Sequence, residues 1–586
     1  MSARELITEH LDLWTGAVTQ KSTRGRGRSG KVELTGIKKL RELILDLALR
    51  GKLTEQLTSD GSTQALLQHL EDKKQKLETK GTIKTNSNIP SIDEHPFAIP
   101  PNWAWVRLGH IGLVGSSRRV RQRDWQNHGI PFYRAREIVK LSQNGDVDNE
   151  LFISRNLYDE LAKNGQVPET NDLMVTGVGT IGVPYIVKPS DQFYFKDASV
   201  LIFKNLFGIC PQFLYNFCHS PFWTRTIHAD SMGTTVHTLT IVRANLAPVP
   251  LPPLDEQYRI VQKVDELMTL CNRLEQQTSD QIEAHKTLVD TLLGTLTQSE
   301  NATELTNNWA RLATHFDTLF TTEQSIDKLK QTILQLAVMG RLVEQGAGDT
   351  PPSALLEKIS SERLELAESG KIKLSSRHAA LTSQEPAPFA IRTSWHWTHL
   401  ESLFAVVTDG DHQAPPKSEQ GIPFLVIGNL NAGEINFTSC KYVSEDYFDN
   451  LDWSRKPTKG DLLYTVTGSY GIPIKVDTDR AFCVQRHVAI LKATDSTPRD
   501  FIKLLLASEY GLSYADNVAT GIAQKTVPLS GLRKMPVPLP PVQEQHRIVQ
   551  KVDELMALCD QLKERLNQAG ETRCQLAEAV VDEALN

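Results

Sequence analysis

Two stretches of the chain carry apolar residues at alternating steps of four and three positions. In the first stretch they are Ile260, Val264, Leu267, Cys271 and Leu274, and in the second they are Ile548, Val552, Leu555, Cys559 and Leu562. A mean spacing of 3.5 residues is typical of a coiled-coil seam. The pattern predicts long helices over about 254–296 and 542–585, and a helix of roughly 40 residues is about 60 Å long.

The two seams could be used in two ways. The favoured interpretation packs the long helices against each other, antiparallel, in a pseudo-two-fold molecule. In the alternative, each seam pairs with a helix of a partner protein. Cys271 and Cys559 hold equivalent seam positions, and each is predicted to be a small buried residue and not a reactive thiol.

The long helices belong to an internal duplication. The segment from Pro248 to Leu274 returns, with few changes, from Pro536 to Leu562. Shorter matches precede it, in which 37–56 resembles 326–345, 65–84 resembles 354–373 and 96–108 resembles 388–400. A period of about half the chain is too long for a solenoid and predicts two similar halves. Because the chain ends resemble its middle, we expect the first and last helices to pack near each other.

Between these matches lie two divergent blocks, about 105–250 and 397–538. They are rich in Gly, Thr, Val, Ile and aromatic residues, which predicts strands with short helices. Gly177, Gly179 and Gly182 spell G-x-G-x-x-G, but the dinucleotide fingerprint requires a helix at this point. Pro184 and strand-forming residues follow instead, so the motif is interpreted as a tight turn between strands.

The predicted fold class is α+β, with two α/β domains alternating with two long antiparallel coiled-coil helical regions. The expected boundaries are an N-terminal helical region (1–95, with a basic Gly/Ser linker at 21–36), a first domain (96–253), a first long helix (254–300), a central helical connector that repeats the N-terminal region (301–387), a second domain (388–541) and a second long helix (542–586).

Composition narrows the possible functions. The formal net charge of −6 argues against a uniformly basic nucleic-acid binder, so local charge has to be considered. Basic residues cluster at 118–123 and at 21–31. For 21–31, a flexible linker is favoured over a DNA-contacting arm. No apolar run is long enough to span a membrane, no signal peptide is evident and the seven cysteines form no C-x-x-C pair. A cytoplasmic protein without a metal site is expected.

Three common catalytic motifs are absent from the sequence. There is no phosphate-binding loop, no H-E-x-x-H motif and no G-x-S-x-G motif. No catalytic residue is therefore assigned, and the chain is interpreted as a binding or assembly protein.

The repeated motif P-L-P-P-x-x-E-Q-x-R-I-V-Q-K-V-D-E-L-M, together with two divergent blocks between duplicated helices, resembles the specificity subunit of type I restriction–modification enzymes, over essentially the whole chain. The helices ahead of the first block resemble most the type IB group. The resemblance implies a non-catalytic chain whose two target-recognition domains each recognise one half of a bipartite, asymmetric site in double-stranded DNA.

The resemblance also implies partners. Two modification (methyltransferase) subunits would bring S-adenosylmethionine, and restriction (translocase and nuclease) subunits would bring ATP and Mg, so that this chain itself holds no cofactor. The alternative hypothesis is a helical protein-interaction scaffold with two peptide-binding domains and no DNA specificity.

Candidate DNA-binding residues are side chains that pair with bases or phosphates and stand in loops of the blocks. In the first block they are Arg118, Arg119, Arg121, Arg123, Arg134, Arg136, Thr176, Thr180, Thr234, Thr235 and His237. In the second block they are His412, Gln413, Lys417, Asn429, Thr467, Ser469, Tyr470, Gln485, Arg486, His487, Gln524 and Lys525. For Arg134 and Arg136 the competing interpretation is a surface salt bridge, and for His487 it is a core position.

Overall fold

A computed structural model of the chain describes residues 8–20, 32–81, 83, 89–164, 167–229, 238–299, 302–346, 348–373, 387–412, 418–430, 433–521 and 524–585. These residues form two compact units. Unit 1 takes its described residues from 1–20, 32–279 and 570–586, and unit 2 takes them from 280–569. Each unit therefore combines the first part of one long helix with the last part of the other.

The first half of the chain begins with α1 (Leu11–Gly16), β1 (Thr19–Gln20), β2 (Val32–Glu33), α2 (Thr35–Leu49) and α3 (Thr63–Thr79). The first strand-rich block then contains β3 (Ala104–Arg107), α4 (Leu108–Ile111), β4 (Leu113–Gly115), β5 (Ile130–Tyr133), α5 (Ala135–Asn144), β6 (Phe152–Ile153), α6 (Arg155–Asn164), β7 (Leu173–Thr176), β8 (Pro184–Ile186), β9 (Tyr194–Phe195), β10 (Val200–Lys204), α7 (Pro211–His219), α8 (Pro221–His228), α9 (Ile241–Leu246) and β11 (Pro248–Leu251). The first long helix, α10 (Leu254–Gln298), follows directly.

The second half repeats this order. It begins with α11 (Ala302–Thr314), α12 (Phe316–Leu319), α13 (Glu323–Val338) and α14 (Pro352–Glu368). The second strand-rich block contains β12 (His396–His399), β13 (Val406–Asp409), β14 (Ile422–Leu425), β15 (Lys441–Val443), α15 (Glu445–Asp449), β16 (Leu462–Thr465), β17 (Pro473–Lys475), β18 (Cys483–Val484), β19 (Val488–Lys492), α16 (Arg499–Ala507), α17 (Glu509–Val518), α18 (Leu529–Arg533) and β20 (Pro536–Leu539). The second long helix is α19 (Val542–Leu585).

The sheets of the two blocks have the same topology. In the first block β3 pairs with β11, a four-stranded antiparallel sheet runs β4-β10-β7-β8, and a three-stranded sheet runs β6-β5-β9. The second block has β12 with β20, then β13-β19-β16-β17 and β15-β14-β18. In both three-stranded sheets one pair is parallel, β5 with β9 and β14 with β18. The α+β class and the internal duplication expected from the sequence are confirmed.

Seven of the ten seam residues are buried and Leu274, Leu555 and Leu562 are half-buried, in a packing that the sequence pattern did not predict. In unit 1, Ile260 and Val264 share a core with Leu40 of α2, and in unit 2, Ile548 shares a core with Leu329 of α13. Arg41 of α2 forms an ion pair with Glu275 of α10 at 2.5 Å, next to the packing in unit 1. Each seam therefore packs against a helix of its own unit, α2 in unit 1 and α13 in unit 2, which we call the connector helices. Antiparallel pairing of the long helices along their length stays a prediction.

The first and last helices share one core in unit 1, as the sequence predicted. Trp14 of α1 and Ala577 of α19 are fully buried in the same cluster. Arg50 donates a hydrogen bond to the carbonyl of Leu585 at 3.0 Å. Trp103 of this unit is also buried. None of the described helices has a stretch long and apolar enough to cross a membrane.

Candidate nucleic-acid interface

In the first block, strand register brings several predicted loops to one edge of the main sheet. Gly115, the last residue of β4, pairs with Ile202, and Thr176, the last residue of β7, pairs with Val200. The segments after β4 and after β7 therefore leave the sheet side by side. We call the described residues 116–128, 134–136, 177–183 and 196–199 the first rim.

Two hydrogen bonds attach the second sheet of the block to this rim. The backbone N–H of Arg118 donates to the hydroxyl of Tyr194 at 2.9 Å. The N–H of Lys196 donates to the carbonyl of Tyr133 at 2.8 Å, where β5 and β9 end together. The arginine-rich segment is thus held at its start, beside the ends of both sheets.

The four arginines of this segment, Arg118, Arg119, Arg121 and Arg123, are all exposed. Arg123 lies 3.7 Å from the carboxylate of Asp124. Across the parts of the chain that the structure describes, Arg118, Arg119 and Arg121 form no ion pair. Three guanidinium groups without an acidic partner are suited to phosphate or guanine contacts.

Arg134 and Arg136 follow the competing interpretation. Arg134 donates to Glu137 at 2.9 Å, and Arg136 donates to Glu137 and, at 2.5 Å, to Glu150. Burial of Glu137 opposes its ionisation, but the hydrogen bonds from both arginines outweigh it, so the pKa of this carboxyl lies below its usual value. Arg134 is half-buried and engaged in this pair, which favours the salt-bridge interpretation, and its contact with DNA stays a prediction. Arg136 is exposed and remains accessible to DNA.

Thr176 lacks the exposure that a DNA contact requires. Its side chain is 0% exposed, and its hydroxyl donates to the carbonyl of Thr180 at 2.5 Å and accepts from the N–H of Val183 at 3.0 Å. The hydroxyl therefore closes the turn and is not available to DNA. Thr180 is exposed on the same turn.

The glycine-rich segment is the predicted turn between antiparallel strands β7 and β8. Gly182 has φ of +81°, and a Cβ there would lie 2.3 Å from the side chain of Ile227. Its carbonyl accepts a hydrogen bond from the indole of Trp223 at 3.0 Å. Glycine is thus required at this position by both backbone angle and space. Thr234, Thr235 and His237 lie outside the described residues.

The second block builds an equivalent edge. Thr465 at the end of β16 pairs with Val488, and Gly410 donates from its N–H to the carbonyl of Val488 at 3.2 Å. The N–H of Gly468 donates to the carbonyl of Lys525 at 3.2 Å. We call the described residues 410–412, 426–429, 466–471, 485–488 and 524–526 the second rim.

The candidates of the second rim divide by exposure. His412, Arg486, Gln524 and Lys525 are exposed, and Ser469, Tyr470, Gln485 and His487 are half-buried. His412 lies 3.2 Å from the carboxylate of Asp409. The hydroxyl of Tyr470 donates to Asp516 at 2.6 Å. Burial, and then the nearby charge of Arg486, lower the pKa of His487, which favours its neutral form. Gln413 and Lys417 lie outside the described residues.

Two candidates of the second rim are corrected, because their polar groups are used inside the fold. Asn429 is buried, donates to the carbonyl of Asn436 at 3.0 Å and accepts from the N–H of Val426 at 3.0 Å. Thr467 is also buried, and its hydroxyl accepts from that of Thr526 at 3.3 Å. Both residues shape the rim without presenting a group to DNA.

Several charged residues that stabilise the two domains were not predicted from the sequence. Asp411, the first acidic residue of its loop, accepts from the hydroxyl of Tyr447 at 2.8 Å and from Arg455 at 2.9 Å. At the opposite end of each main sheet a buried lysine and aspartate form an ion pair, Lys204 with Asp172 at 2.8 Å and Lys492 with Asp461 at 2.6 Å. The Asp-Leu dipeptide repeated in both divergent blocks was the available signal for the aspartates.

Comparison with known proteins identifies the family. The family model for the type I restriction modification DNA specificity domain matches residues 100–284 and 410–571. The type I restriction enzyme EcoAI specificity subunit of Escherichia coli is 33% identical, and the EcoEI specificity subunit of the same organism is 32% identical, each over 100% of both chains.

A solved HsdS subunit from Thermoanaerobacter tengcongensis is 20% identical, with 84% of this chain and 99% of that chain covered. Its TM-score is 0.38, so the global likeness adds no argument. Nothing in these comparisons supports the alternative of a peptide-binding scaffold. The sequence matches and the two equivalent rims agree, and the chain belongs to the specificity subunits of type I restriction–modification enzymes, with two DNA sequence recognition domains.

Proposed function

We propose that the first rim recognises one half of a bipartite, asymmetric DNA site and that the second rim recognises the other half. The observation that carries this proposal is that the same strand ends in the two domains present different side chains. The segment after β4 carries the arginines of 118–123, whereas the equivalent segment after β13 carries Asp411 and His412. The segment after β9 carries Lys196 and Asp197, whereas the equivalent segment after β18 carries Gln485 and Arg486. Different side chains on a duplicated frame are what two different half-sites require.

The chemistry of the rims fits base reading. Arginine pairs with O6 and N7 of guanine, and glutamine pairs with N6 and N7 of adenine in the major groove. Exposed Arg119 and Arg121 are suited to the first role, and Gln524 is suited to the second. Contacts to phosphate would position the chain, because such contacts carry no sequence information directly.

The chain supplies recognition in this proposal and no reacting group. Two modification subunits would bring S-adenosylmethionine and methylate adenine, and restriction subunits would bring ATP, Mg, translocation and cleavage. Two equivalent surfaces support docking of two identical modification subunits. Leu288 of α10 and Leu576 of α19 hold equivalent positions and are 49% and 53% exposed.

A mobility-shift experiment with a randomised duplex tests this function. The chain is mixed with the duplex with and without the modification subunit, and the retained DNA is sequenced. We expect the complex to enrich two short conserved elements separated by unconserved bases. Retention of DNA without any sequence preference would contradict the proposal.

A further inference from the structure

Two polar residues at the start of the repeated motif, Glu256 and Gln257, face the protein interior. Glu256, at the start of α10, is fully buried. Its carboxylate accepts hydrogen bonds from the indole of Trp103 at 2.9 Å, from Gln56 at 2.6 Å and from Thr54 at 3.2 Å. Trp103 precedes the first strand of the recognition domain, whereas Thr54 and Gln56 follow connector helix α2. One carboxylate therefore joins the long helix, the recognition domain and the connector.

Gln257 and Arg259 complete this junction. Gln257 is buried, donates to the carbonyl of Pro252 at 2.9 Å and accepts from the N–H of Cys210, just before α7, at 3.0 Å. Arg259 forms a two-pronged pair with Asp60 of the connector, at 2.5 and 2.6 Å. Bidentate pairs of this kind fix orientation as well as distance.

The second copy repeats the junction with different donors to its carboxylate, and the position that matches Thr54 is Val343. Glu544 is buried and accepts from the indole of Trp395 at 3.1 Å, and Arg547 pairs with Asp349 at 2.6 and 3.1 Å. Glu544 also accepts from Arg392 at 3.0 Å, a position that is proline in the first half. We call the two sets, centred on Glu256 and Glu544, the first and second junctions.

The other links between each recognition domain and its long helix are a two-stranded sheet and a shared apolar core, in which Phe213 lies with Ile260 in unit 1 and Phe501 lies with Ile548 in unit 2. β11 leads directly into α10, and it pairs only with β3 among the described strands; β20 does the same with β12. A two-stranded sheet is weakly stable by itself and can twist. Apolar packing is not directional, whereas the hydrogen bonds to the buried carboxylate are directional, and their donors would be left unpaired if the domain turned.

We propose that Glu256 and Glu544 are positioning residues that hold each recognition domain at a fixed angle on its long helix, and thereby set which separation between the two half-sites the complex accepts. This inference rests on the proposed reading of two half-sites. One added base pair moves a half-site by about 3.4 Å and rotates it by about one tenth of a turn. A domain held at a fixed angle cannot bind the shifted half-site in the same orientation, whereas a domain released from its junction can turn and bind it.

Glu256→Gln tests the proposal. The amide has nearly the same shape but presents its NH2 group to donors, so at least one of the three hydrogen bonds is lost. Affinity is measured for the assembled complex on a duplex with the wild-type separation and on duplexes with one base pair more or fewer. We expect the preference for the wild-type separation to fall by roughly tenfold, about 1.4 kcal/mol, with unchanged base preference in each half-site.

The matched control is Glu266→Gln, which makes the same chemical change on an exposed face of α10. Glu266 pairs at the surface with Lys263 at 2.9 Å, and we expect its loss to leave the separation preference unchanged. A purely structural role of Glu256 would lower affinity for all three duplexes by the same factor, and that result would overturn the proposal.

The second junction keeps the proposal testable if Glu256→Gln folds poorly. Glu544→Gln is predicted to relax the same preference, with Glu554→Gln as its surface control. Glu554 pairs with Lys551 at 3.0 Å. The double variant Glu256→Gln with Trp103→Phe should relax the preference by less than the sum of the two single changes, because both disturb the same carboxylate–indole contact. Additive losses would contradict the junction mechanism.

Failure of this inference is distinguishable from failure of the proposed function. If the wild-type complex selects a two-part sequence but the Glu256 and Glu544 variants keep its separation preference, only the positioning role is refuted. If the wild-type complex selects no sequence, the proposed function itself is refuted.

Discussion

Lys492 at the end of β19 offers the sharpest test of how the sheets of the recognition domains are stabilised. The side chain is 1% exposed. Its ammonium donates to Asp461 at 2.6 Å, to the hydroxyl of Thr458 at 2.8 Å and to the carbonyl of Lys456 at 3.0 Å. Lys492→Met keeps the apolar stem and removes the charge, so that a buried carboxylate loses its cation.

Removal of one partner from a buried ion pair destabilises proteins by about 3–5 kcal/mol. Asp461 would keep hydrogen bonds from the N–H groups of Thr458 and Ala493, so we expect about 3 kcal/mol, at the lower end of that range. Lys204→Met is the matched comparison in the first domain. Lys204 pairs with Asp172 and with Glu169, whose side chain is 65% exposed and can be rehydrated. Its loss should be roughly half as large.

Hydrogen exchange followed by mass spectrometry measures both effects in the full chain. Peptides that cover β16 and β19 should lose more protection in Lys492→Met than peptides that cover β7 and β10 lose in Lys204→Met. Equal losses in the two domains, or a larger loss from Lys204→Met, would refute the argument from burial.

Three further predictions concern the turn, the junctions and the first rim. Thr176→Val leaves the N–H of Val183 without its hydroxyl acceptor, and thermal unfolding should show a loss of about 1–3 kcal/mol with DNA affinity lowered for all sequences alike. The hydrogen bond from Arg547 lowers the pKa of Asp349. The unfolded state therefore binds more protons as the pH falls through about 4, and the free energy of unfolding should fall there. In urea denaturation between pH 3 and 5, the stability of Asp349→Asn should depend less on pH than that of the wild type. Arg119→Ala should reduce the slope of log K against log salt by about 0.9 if Arg119 contacts one phosphate, and an unchanged slope would exclude that contact.

Much of the frame could be predicted from the sequence, because its signals are local or repeated. The duplication, the strand-rich blocks and the turn around Gly182 all rest on residues that are close in sequence or that occur twice. The rims were also predicted as loops, and the exposed arginines of 118–123 stand where they were expected.

The corrections have a common physical cause. Thr176 and Asn429 were chosen because their side chains can hydrogen-bond to DNA, but the same groups hydrogen-bond to backbone once the chain folds. The sequence pattern of the repeated motif revealed its apolar seam but not the roles of Glu256 and Arg259 inside the junction. Their partners Trp103 and Asp60 lie far away in sequence, and a pattern in one stretch does not reveal which distant group will meet it.

Selection of bound sequences from a randomised duplex by the wild-type complex and by Arg121→Ala and Arg486→Ala tests the central claim most directly. Arg121 belongs to the first rim and Arg486 to the second, and both are exposed. The account predicts that each variant alters a different half of the selected site, with a loss of about 1–3 kcal/mol where the arginine reads a base. Alteration of the same half by both variants would contradict it.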